Sequence, residues 1–375
     1  MSTLKVNTIN ASTSGQAVDV DIKNPKSFRN KVINGAMLVN QRGNQSSVTT
    51  SVYGLDRFKV QEAADVTYDI NQSTDTPDGF GNSFHIDIQG AQASPSASHF
   101  MQLITPLEGF NVQDFAKGTS EAKQYTVSFY IKTNVTGNYA LQITDDNSRS
   151  CSQLYTVSDT NWNRYTVTFP ADTTGTIDND NSEGLRLTWH LLVGSDRSSG
   201  TMNTTWAATT NANIAAGQTA NVGSSTSNNW YITGVQLEVD HTGSGKATDF
   251  EHRSFGQELA LCQRYYQRYS ADGGGYRYLC SGSMDNDDEA GQFFFMFHAP
   301  FRAPVSSMDT TGTASDYGMR RDSSQVCTSV PQMYSTTSHS CYLVFYKSSV
   351  GWSTAQALGA MLISATAYLG FSAEL

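Results

Sequence analysis

The chain has 375 residues and carries 24 Lys plus Arg against 34 Asp plus Glu, a formal net charge of −10. A duplex-binding protein needs clustered cations to replace phosphate counterions, so this acid-rich chain with scattered basic residues argues against nucleic acid as a partner. No apolar run approaches the ~18 residues that a membrane-spanning helix needs, and the five cysteines lack the spacing of a zinc site or a disulfide framework. The length exceeds the ~250–300 residues at which a single core stops growing, so two domains are expected.

Residues 1–30 are predicted to form a docking arm. Two short alternating segments, one with Leu4 and Val6 and one with Val18 and Val20, flank a Ser/Gly turn. An isolated two-stranded unit is marginal in water, so the arm is expected to dock onto another protein or onto other copies of the chain. The first residues lack the basic and apolar regions of a signal peptide, which predicts folding in a reducing cytoplasm.

Residues 31–253 show a two-residue hydrophobic period in segment after segment. In YTVSFYIKT, for example, Tyr125, Val127, Phe129 and Ile131 share one face, the pattern of a half-buried antiparallel strand. Many such strands separated by turn residues, without intervening helices, predict a sandwich or barrel rather than an α/β sheet.

One segment, 254–270, changes to a helical period. Ser254 and Gln257 have the spacing of a capping box, and DGGG at 272–275 would stop a helix. The sequence therefore predicts an amphipathic helix over 255–269, whose stripe could cover the end of a sheet in the same chain or pack against copies of itself as an oligomer axis. The residues predicted for this stripe are Leu259, Cys262, Tyr266 and Tyr269.

Residues 271–375 return to strand character in segments such as GQFFFMF and SCYLVFY. About a hundred residues suffice for a second, smaller β-sandwich. The sequence thus predicts an all-β protein of two sheet-built domains joined by one short α-helix.

No catalytic residue is predicted, because the chain lacks a nucleophile elbow, a zincin motif, a P-loop and a dinucleotide-binding fingerprint. The acidic clusters lie in apparent turns and are interpreted as solvated loop carboxylates: Asp145/Asp146, Asp178/Asp180/Glu183 and Asp285/Asp287/Asp288/Glu289. No cofactor is expected. A structural calcium ion bracing DNDNSEG is the alternative, although this segment departs from the EF-hand pattern.

Three aromatic residues are predicted to contact a ligand: Trp162, Tyr317 and Trp352. Each occurs in a polar, turn-like context where a core ring would be unexpected. Sugar rings have apolar C–H faces that stack on aromatic rings, while neighbouring polar groups bind the hydroxyls. Core or interface packing is the alternative for each ring, and it is the interpretation preferred for Trp189, Trp206 and Trp230.

Several motifs resemble those of bacteriophage tail-fibre and related virion-fibre proteins, especially from phages of marine bacteria. They include VINGAMLVNQRG, YGLDRFKV, NWNRYTVTFP, WYITGVQLEV and TDFEHRSFGQELALCQRYYQ, and the resemblance covers most of residues 30–270. It implies a jelly-roll domain like a carbohydrate-binding module over 31–253, a helical connector over 254–270 and a distal, receptor-binding C-terminal β domain over 271–375. It also implies a homotrimer that attaches to other virion structural proteins through its N-terminal arm.

Together these features predict a non-enzymatic, homotrimeric virion fibre, assembled in the host cytoplasm, that binds a host surface polysaccharide. The alternative is a decoration or spacer fibre of capsid, collar or tail with no ligand. Depolymerase activity is a third interpretation, disfavoured because the ~20-residue repeats of a β-helix are absent.

Overall fold

The computed structural model describes residues 28–241, 243–285 and 289–375. The predicted docking arm lies outside these residues except for its last three. Of those, Phe28 and Asn30 donate backbone N–H groups to the Glu251 carboxylate, at 2.5 Å and 2.7 Å. The described chain is all-β, as predicted, with two β-sandwich lobes and a short helix between them.

The N-terminal lobe consists of two antiparallel sheets packed around one core. Its strands are β1 (Gln45–Val48), β2 (Val52–Tyr53), β3 (Lys59–Glu62), β4 (Thr67–Ser73), β5 (Ser83–Gly90), β6 (Phe100–Glu108), β7 (Tyr125–Thr133), β8 (Gly137–Asp145), β9 (Arg149–Val157), β10 (Asn163–Phe169), β11 (Glu183–Val193), β12 (Ala207–Ala208) and β13 (Asn229–Val239). One sheet has the order β1-β4-β5-β13-β7-β10 and the other the order β12-β9-β8-β11-β6-β3-β2.

Alternation along the strands explains which side chains reach this core. On β7, Tyr125, Val127, Phe129 and Ile131 are fully buried, as their spacing predicts. The strand is not half-buried throughout, however, because Thr126 and Ser128 on its other face are buried as well. The same cluster contains residues of both sheets, including the buried Trp189. Burying one face of each sheet supplies the hydrophobic free energy that holds the two sheets together.

Helical structure in the described residues is brief. The α-helices are α1 (Ser195–Ser198) and α2 (Phe255–Gln263), and short 3-10 helices lie at Gly109–Asn111, Gln113–Phe115, Asn211–Asn213, Val222–Ser224 and Ala314–Asp316. None of these helices is long and apolar enough to cross a membrane. The predicted capping box is confirmed, because Ser254 accepts from the backbone N–H of Gln257 and the Gln257 side chain accepts from the backbone N–H of Ser254.

The prediction of a helix over 255–269 is wrong at its C-terminal end. The helix stops at Gln263, and Tyr266 and Tyr269 lie on a strand that pairs with residues 368–372. Tyrosine favours strands, and five backbone pairings with a distant segment outweigh the local helical period. Cys262 and Tyr266 are buried within the single chain, whereas Leu259 is half-buried. The four predicted residues therefore do not form one continuous helical stripe.

The C-terminal lobe is a smaller sandwich. Its strands are β14 (Tyr266–Ser270), β15 (Arg277–Met284), β16 (Ala290–Met296), β17 (Ser307–Thr310), β18 (Tyr317–Arg320), β19 (Ser324–Val326), β20 (Gln332–Tyr334), β21 (Ser340–Tyr346), β22 (Ala357–Leu362) and β23 (Tyr368–Ser372). They form a three-stranded sheet, β14-β23-β17, and a seven-stranded sheet, β19-β18-β22-β15-β16-β21-β20. Aromatic rings fill the space between the sheets, and Phe295 stacks on Phe371 with ring centroids 5.2 Å apart.

Polar contacts bind the two lobes to each other. Gln41 donates to the backbone carbonyl of Tyr266 at 2.7 Å. Arg264 forms a two-pronged ion pair with Glu108, at 2.8 Å and 2.9 Å. Such planar pairs fix geometry as well as adding energy, so the lobes pack against each other with a defined orientation.

A buried histidine makes the stability of the N-terminal lobe depend on pH. His190, on β11, is fully buried, and burial, followed by the charge of Arg197, lowers its pKa to about 3. In the unfolded chain the imidazole binds a proton below about pH 6.5. The folded protein therefore has its full stability, as far as His190 is concerned, above about pH 6.5. That contribution to the free energy of unfolding is lost as pH falls from about 6.5 toward about 3.

We expect thermal melts to show falling stability from pH 7 to pH 5, with up to about 1.4 kcal/mol lost per pH unit from this residue. His190→Gln should flatten that part of the profile, because glutamine does not titrate. Equal pH slopes for the two proteins would contradict the assignment.

Candidate functional site

The outer face of the six-stranded sheet carries a row of polar and aromatic side chains. Asn71, His85, Tyr231 and Lys132 lie on four adjacent strands, β4, β5, β13 and β7, and are successive cross-strand partners. Trp162 directly precedes β10, the next strand of the sheet. Side chains alternate across a strand; the residues next to this row, such as Ile86 and Trp230, are buried in the core. The row therefore faces outward.

Two rings in this row are locked against each other. His85 and Tyr231 stack with centroids 4.0 Å apart and an interplanar angle of 2°. His85 Nε2 lies 2.6 Å from Oδ1 of Asn229. Burial, followed by the charges of Asp75 and Asp87, raises the pKa of Tyr231 above its ordinary value, so its phenol stays protonated and can donate a hydrogen bond.

Trp162 is held beside this pair by a carboxylate. Its indole Nε1 donates to Asp75 Oδ1 at 2.9 Å, and its ring centroid lies 6.1 Å from that of Tyr231. Lys132 Nζ donates to the other oxygen of Asp75 at 2.6 Å. Partial burial raises the pKa of Asp75, but these two hydrogen bonds outweigh it and the net shift is downward. Asp75 is thus an ionised clamp that fixes both neighbours.

We call the set of His85, Tyr231, Trp162, Lys132 and Asp75 the aromatic platform. Its rings and lysine are half-buried, so they keep one part in contact with solvent. The next row of the sheet adds further polar side chains, Asp69, Asp87 and Asn229, as cross-strand neighbours. Fixed rings next to hydrogen-bonding groups suit a ligand with alternating apolar and hydroxylated surface.

The other two predicted ligand rings belong to the core of the C-terminal lobe, so their prediction as ligand-binding residues is wrong. Tyr317 has no exposed surface, and its hydroxyl donates to the carbonyl of Tyr368 at 2.8 Å. Trp352 is 9% exposed and packs in the same cluster. Both sit in polar sequence, but sheet pairing and loop closure turn their rings inward.

Two of the acidic clusters meet at one contact, where the backbone N–H of Asp178 donates to Asp146 Oδ2 at 3.3 Å. Asp145, expected in a solvated turn, is instead buried with Asp172 around the ammonium group of Lys117. Asp180 accepts from the backbone N–H of Ser182 at 2.8 Å within its own turn. Among the described residues no group of three or more His, Cys, Asp or Glu side chains could hold a metal ion. The cluster at 285–289 lies partly outside the described residues.

Four members of the platform escaped prediction: His85, Tyr231, Lys132 and Asp75. A signal exists for two of them, since His85 stands between Phe84 and Ile86, and Tyr231 between Trp230 and Ile232. Alternation places such a residue on the face opposite its two buried neighbours. Such a pattern gives the face but not which strands become neighbours.

No protein-family model matches the chain, and no curated protein matches it either. Similar solved structures include the enzymatically active domain of bacteriophage CBA120 tailspike protein 4, with 10% identity and a TM-score of 0.30 over 56% of this chain and 21% of that one. The chain thus spans about a fifth of the tailspike's length.

Carbohydrate-binding modules are also among the similar structures. TmCBM61 in complex with β-1,4-galactotriose has 9% identity and a TM-score of 0.28, over 56% of this chain and 99% of that one. A family 11 module from Clostridium thermocellum, in complex with a mixed-linked tetrasaccharide, has 11% identity and a TM-score of 0.26, over 54% and 97%. Similarities this weak carry no argument about function.

Proposed function

We propose that this protein is a non-enzymatic virion fibre of a bacteriophage and that it binds a polysaccharide of the host surface through the aromatic platform. The observation that carries the ligand class is the fixed cluster of three half-buried rings, His85, Tyr231 and Trp162, beside hydrogen-bonding side chains. Sugar C–H faces stack on such rings, and asparagine, aspartate and lysine bind the hydroxyls. The fibre role is supported by the resemblance of motifs across residues 30–270.

The absence of catalysis is part of the proposal. A glycosidase needs one carboxylic acid with a raised pKa to protonate the leaving group. The carboxylate that contacts the platform rings is Asp75, whose pKa is lowered, with Lys132 and Trp162 donating to it. Asp75 is therefore suited to holding side chains in place and unsuited to general acid catalysis.

A homotrimer attached to the virion through residues 1–30 completes the proposal. Three linked sites would raise avidity by about 10²–10⁴ without new contacts, so a weak platform would suffice for adsorption. The mass of the purified full chain in solution tests this assembly directly, and a monomer would refute it.

The ligand-binding test uses the full chain and purified surface polysaccharide of the host. Trp162→Ala combined with Tyr231→Ala is expected to weaken binding by roughly 10- to 100-fold, because each lost stacking ring is worth about 0.5–1.5 kcal/mol. A matched control is Phe110→Ala combined with Tyr276→Ala, which removes two rings that are 52% and 60% exposed but lie outside the platform. This control should bind as wild type does.

Three results would overturn parts of the proposal. Equal binding by the platform variant and the control would show that the platform does not bind the polysaccharide. No binding by the wild type would favour the spacer fibre. Reducing ends released from the polysaccharide would show that the protein is an enzyme. Melting curves of each variant establish that a loss of binding is not a loss of fold.

A further inference from the structure

A cleft of about 610 Å³ lies where the two lobes meet. The N-terminal lobe contributes Arg42 and Tyr53 to its lining, and the C-terminal lobe contributes Tyr266, Asp309 and Tyr368. We call it the seam cleft. Its volume falls in the range of about 300–1,000 Å³ typical of small-molecule sites, and it shares no residue with the aromatic platform.

Arginine side chains hold the tyrosine rings of the seam cleft in place. The guanidinium carbon of Arg42 lies 3.7 Å from the ring centroid of Tyr266 and 5.1 Å from that of Tyr53. That of Arg268 lies 3.7 Å from the ring centroid of Tyr368. Cation–π contacts of this kind are stronger where water is excluded. The aromatic walls are therefore preorganised, which reduces the entropy lost when a ligand binds.

A glycine makes room for one of these walls. A Cβ atom at Gly370 would come within 2.0 Å of the Tyr266 hydroxyl oxygen. Gly370 is the cross-strand partner of Arg268 on one side and of Asp309 on the other. The missing side chain lets the Tyr266 ring lie against the sheet, between the arginine and the carboxylate.

Asp309 is an acidic side chain at the seam cleft. It is exposed on β17, and its carboxylate forms no hydrogen bond or ion pair within the described part of the chain. An ionised carboxylate can accept two hydrogen bonds from neighbouring sugar hydroxyls. It would repel a carboxylate, sulfate or phosphate on the ligand. Arg42, the cation of the same cleft, is already paired with Glu374 at 3.3 Å.

We propose that the seam cleft is a second glycan-binding site and that it takes neutral sugar units. Sugar hydroxyls donate to Asp309, and an apolar sugar face packs on the tyrosine walls. A smaller cleft of about 370 Å³, lined by Asn40, Gln41, Gly43, Arg268 and Ser270, adjoins across the Arg268–Tyr368 stack. This proposal rests on the proposed function, because it assigns the same class of ligand, a glycan. The seam cleft binds it through residues other than those of the aromatic platform.

The test measures binding of defined sugars to the full chain. The probes are cellotriose, β-1,4-galactotriose and mannotriose as neutral trisaccharides, with trigalacturonic acid as the acidic counterpart, each to about 10 mM, since single sugar sites are often weak. Saturation-transfer NMR measures affinity, and amide hydrogen exchange locates the contact. At least one neutral trisaccharide should slow exchange at residues 307–310 and 368–372, where the cleft-lining strands lie.

Asp309→Ala should weaken that binding about tenfold or more, because it removes hydrogen bonds to a charged acceptor. Asp322→Ala is the matched control: it makes the same change of charge at an exposed carboxylate whose side chain is paired only with the neighbouring Arg321 within the described residues. The control should bind as wild type does. The platform variant Trp162→Ala with Tyr231→Ala should also keep trisaccharide binding in the seam cleft.

The outcomes separate the two sites. Loss of polysaccharide binding in the platform variant alone, with Asp309→Ala weakening the trisaccharide, supports both. Trisaccharide binding that is equal in Asp309→Ala and Asp322→Ala overturns the seam cleft and leaves the platform standing. Protection by trigalacturonic acid but by no neutral trisaccharide overturns the neutral ligand class, and protection by none of the four overturns the site.

Discussion

Lys117→Met is expected to lower the free energy of unfolding by about 3–5 kcal/mol, the usual cost of removing one partner from a buried ion pair. The Lys117 side chain has no exposed surface, and its ammonium group pairs with Asp145 and, at 2.9 Å, with Asp172. It also lies 4.4 Å from the ring centroid of Trp206. Methionine has nearly the same length but no charge, so the variant strands two carboxylates without their common cation. Arg149, at 3.0 Å, still compensates Asp172.

Chemical denaturation at pH 7 measures this loss, and a surface lysine provides the control. Lys123 is 42% exposed and lies 3.8 Å from Glu121, so Lys123→Met should stay within about 1 kcal/mol of wild type. If both variants lose the same free energy of unfolding, the buried ion pairs of Lys117 do not stabilise the fold as proposed.

Acid pH gives a second, independent readout for the same network. Burial raises the pKa of Asp172, but hydrogen bonds from Arg149 and Lys117 outweigh it and the pKa lies well below its ordinary value. This stabilisation is present above about pH 4, the ordinary pKa of aspartate, and is lost as pH falls below it. Protonation also relieves the stranded carboxylates of Lys117→Met. The difference in free energy of unfolding between wild type and Lys117→Met should therefore become smaller on acidification. A defect of packing alone would leave this difference constant.

Arg57→Met is expected to have a comparable effect, about 3–5 kcal/mol, and to loosen the contact between the lobes. Arg57 is 1% exposed and forms an ion pair with Glu374, which is 5% exposed. Its guanidinium group also donates to the Pro106 carbonyl at 2.6 Å and lies 3.4 Å from the ring centroid of Tyr265. Without it, the buried Glu374 keeps only Arg42, at 3.3 Å, as a counter-ion among the described residues.

A double-mutant cycle with Glu374→Gln isolates the pair from the packing. Contacting charges normally couple by 0.5–3 kcal/mol, so the double variant should be more stable than the sum of the single losses predicts. Limited proteolysis at residues 264–268 reports the opening of the seam. Additive losses, or unchanged protection of that segment in Arg57→Met, would show that the ion pair does not join the lobes.

The sequence alone identified the apolar, core-facing side of individual strands. On β7, the alternation of Tyr125, Val127, Phe129 and Ile131 with polar residues identified the buried face, and the structure confirms it. The start of α2 was equally local, because a capping box needs only Ser254 and Gln257 three residues apart. Both features depend on chemistry within a few residues, which a single sequence displays directly. Of the three predicted ligand rings, the fold brings only Trp162 into an outward-facing cluster.

The tertiary structure decided what depends on distant partners. Helix α2 ends at Gln263 because the following residues pair with a strand about a hundred positions later, a contact that no local period reveals. Tyr317 is buried for a related reason, since β18 pairs with β22 and places the ring against the core. The aromatic platform unites Asp75, His85, Trp162 and Tyr231 because the sheet order β4-β5-β13-β7-β10 is not the chain order. Alternation along a strand determines the face of the sheet on which a side chain lies, whereas the pairing of strands determines which side chains become its neighbours.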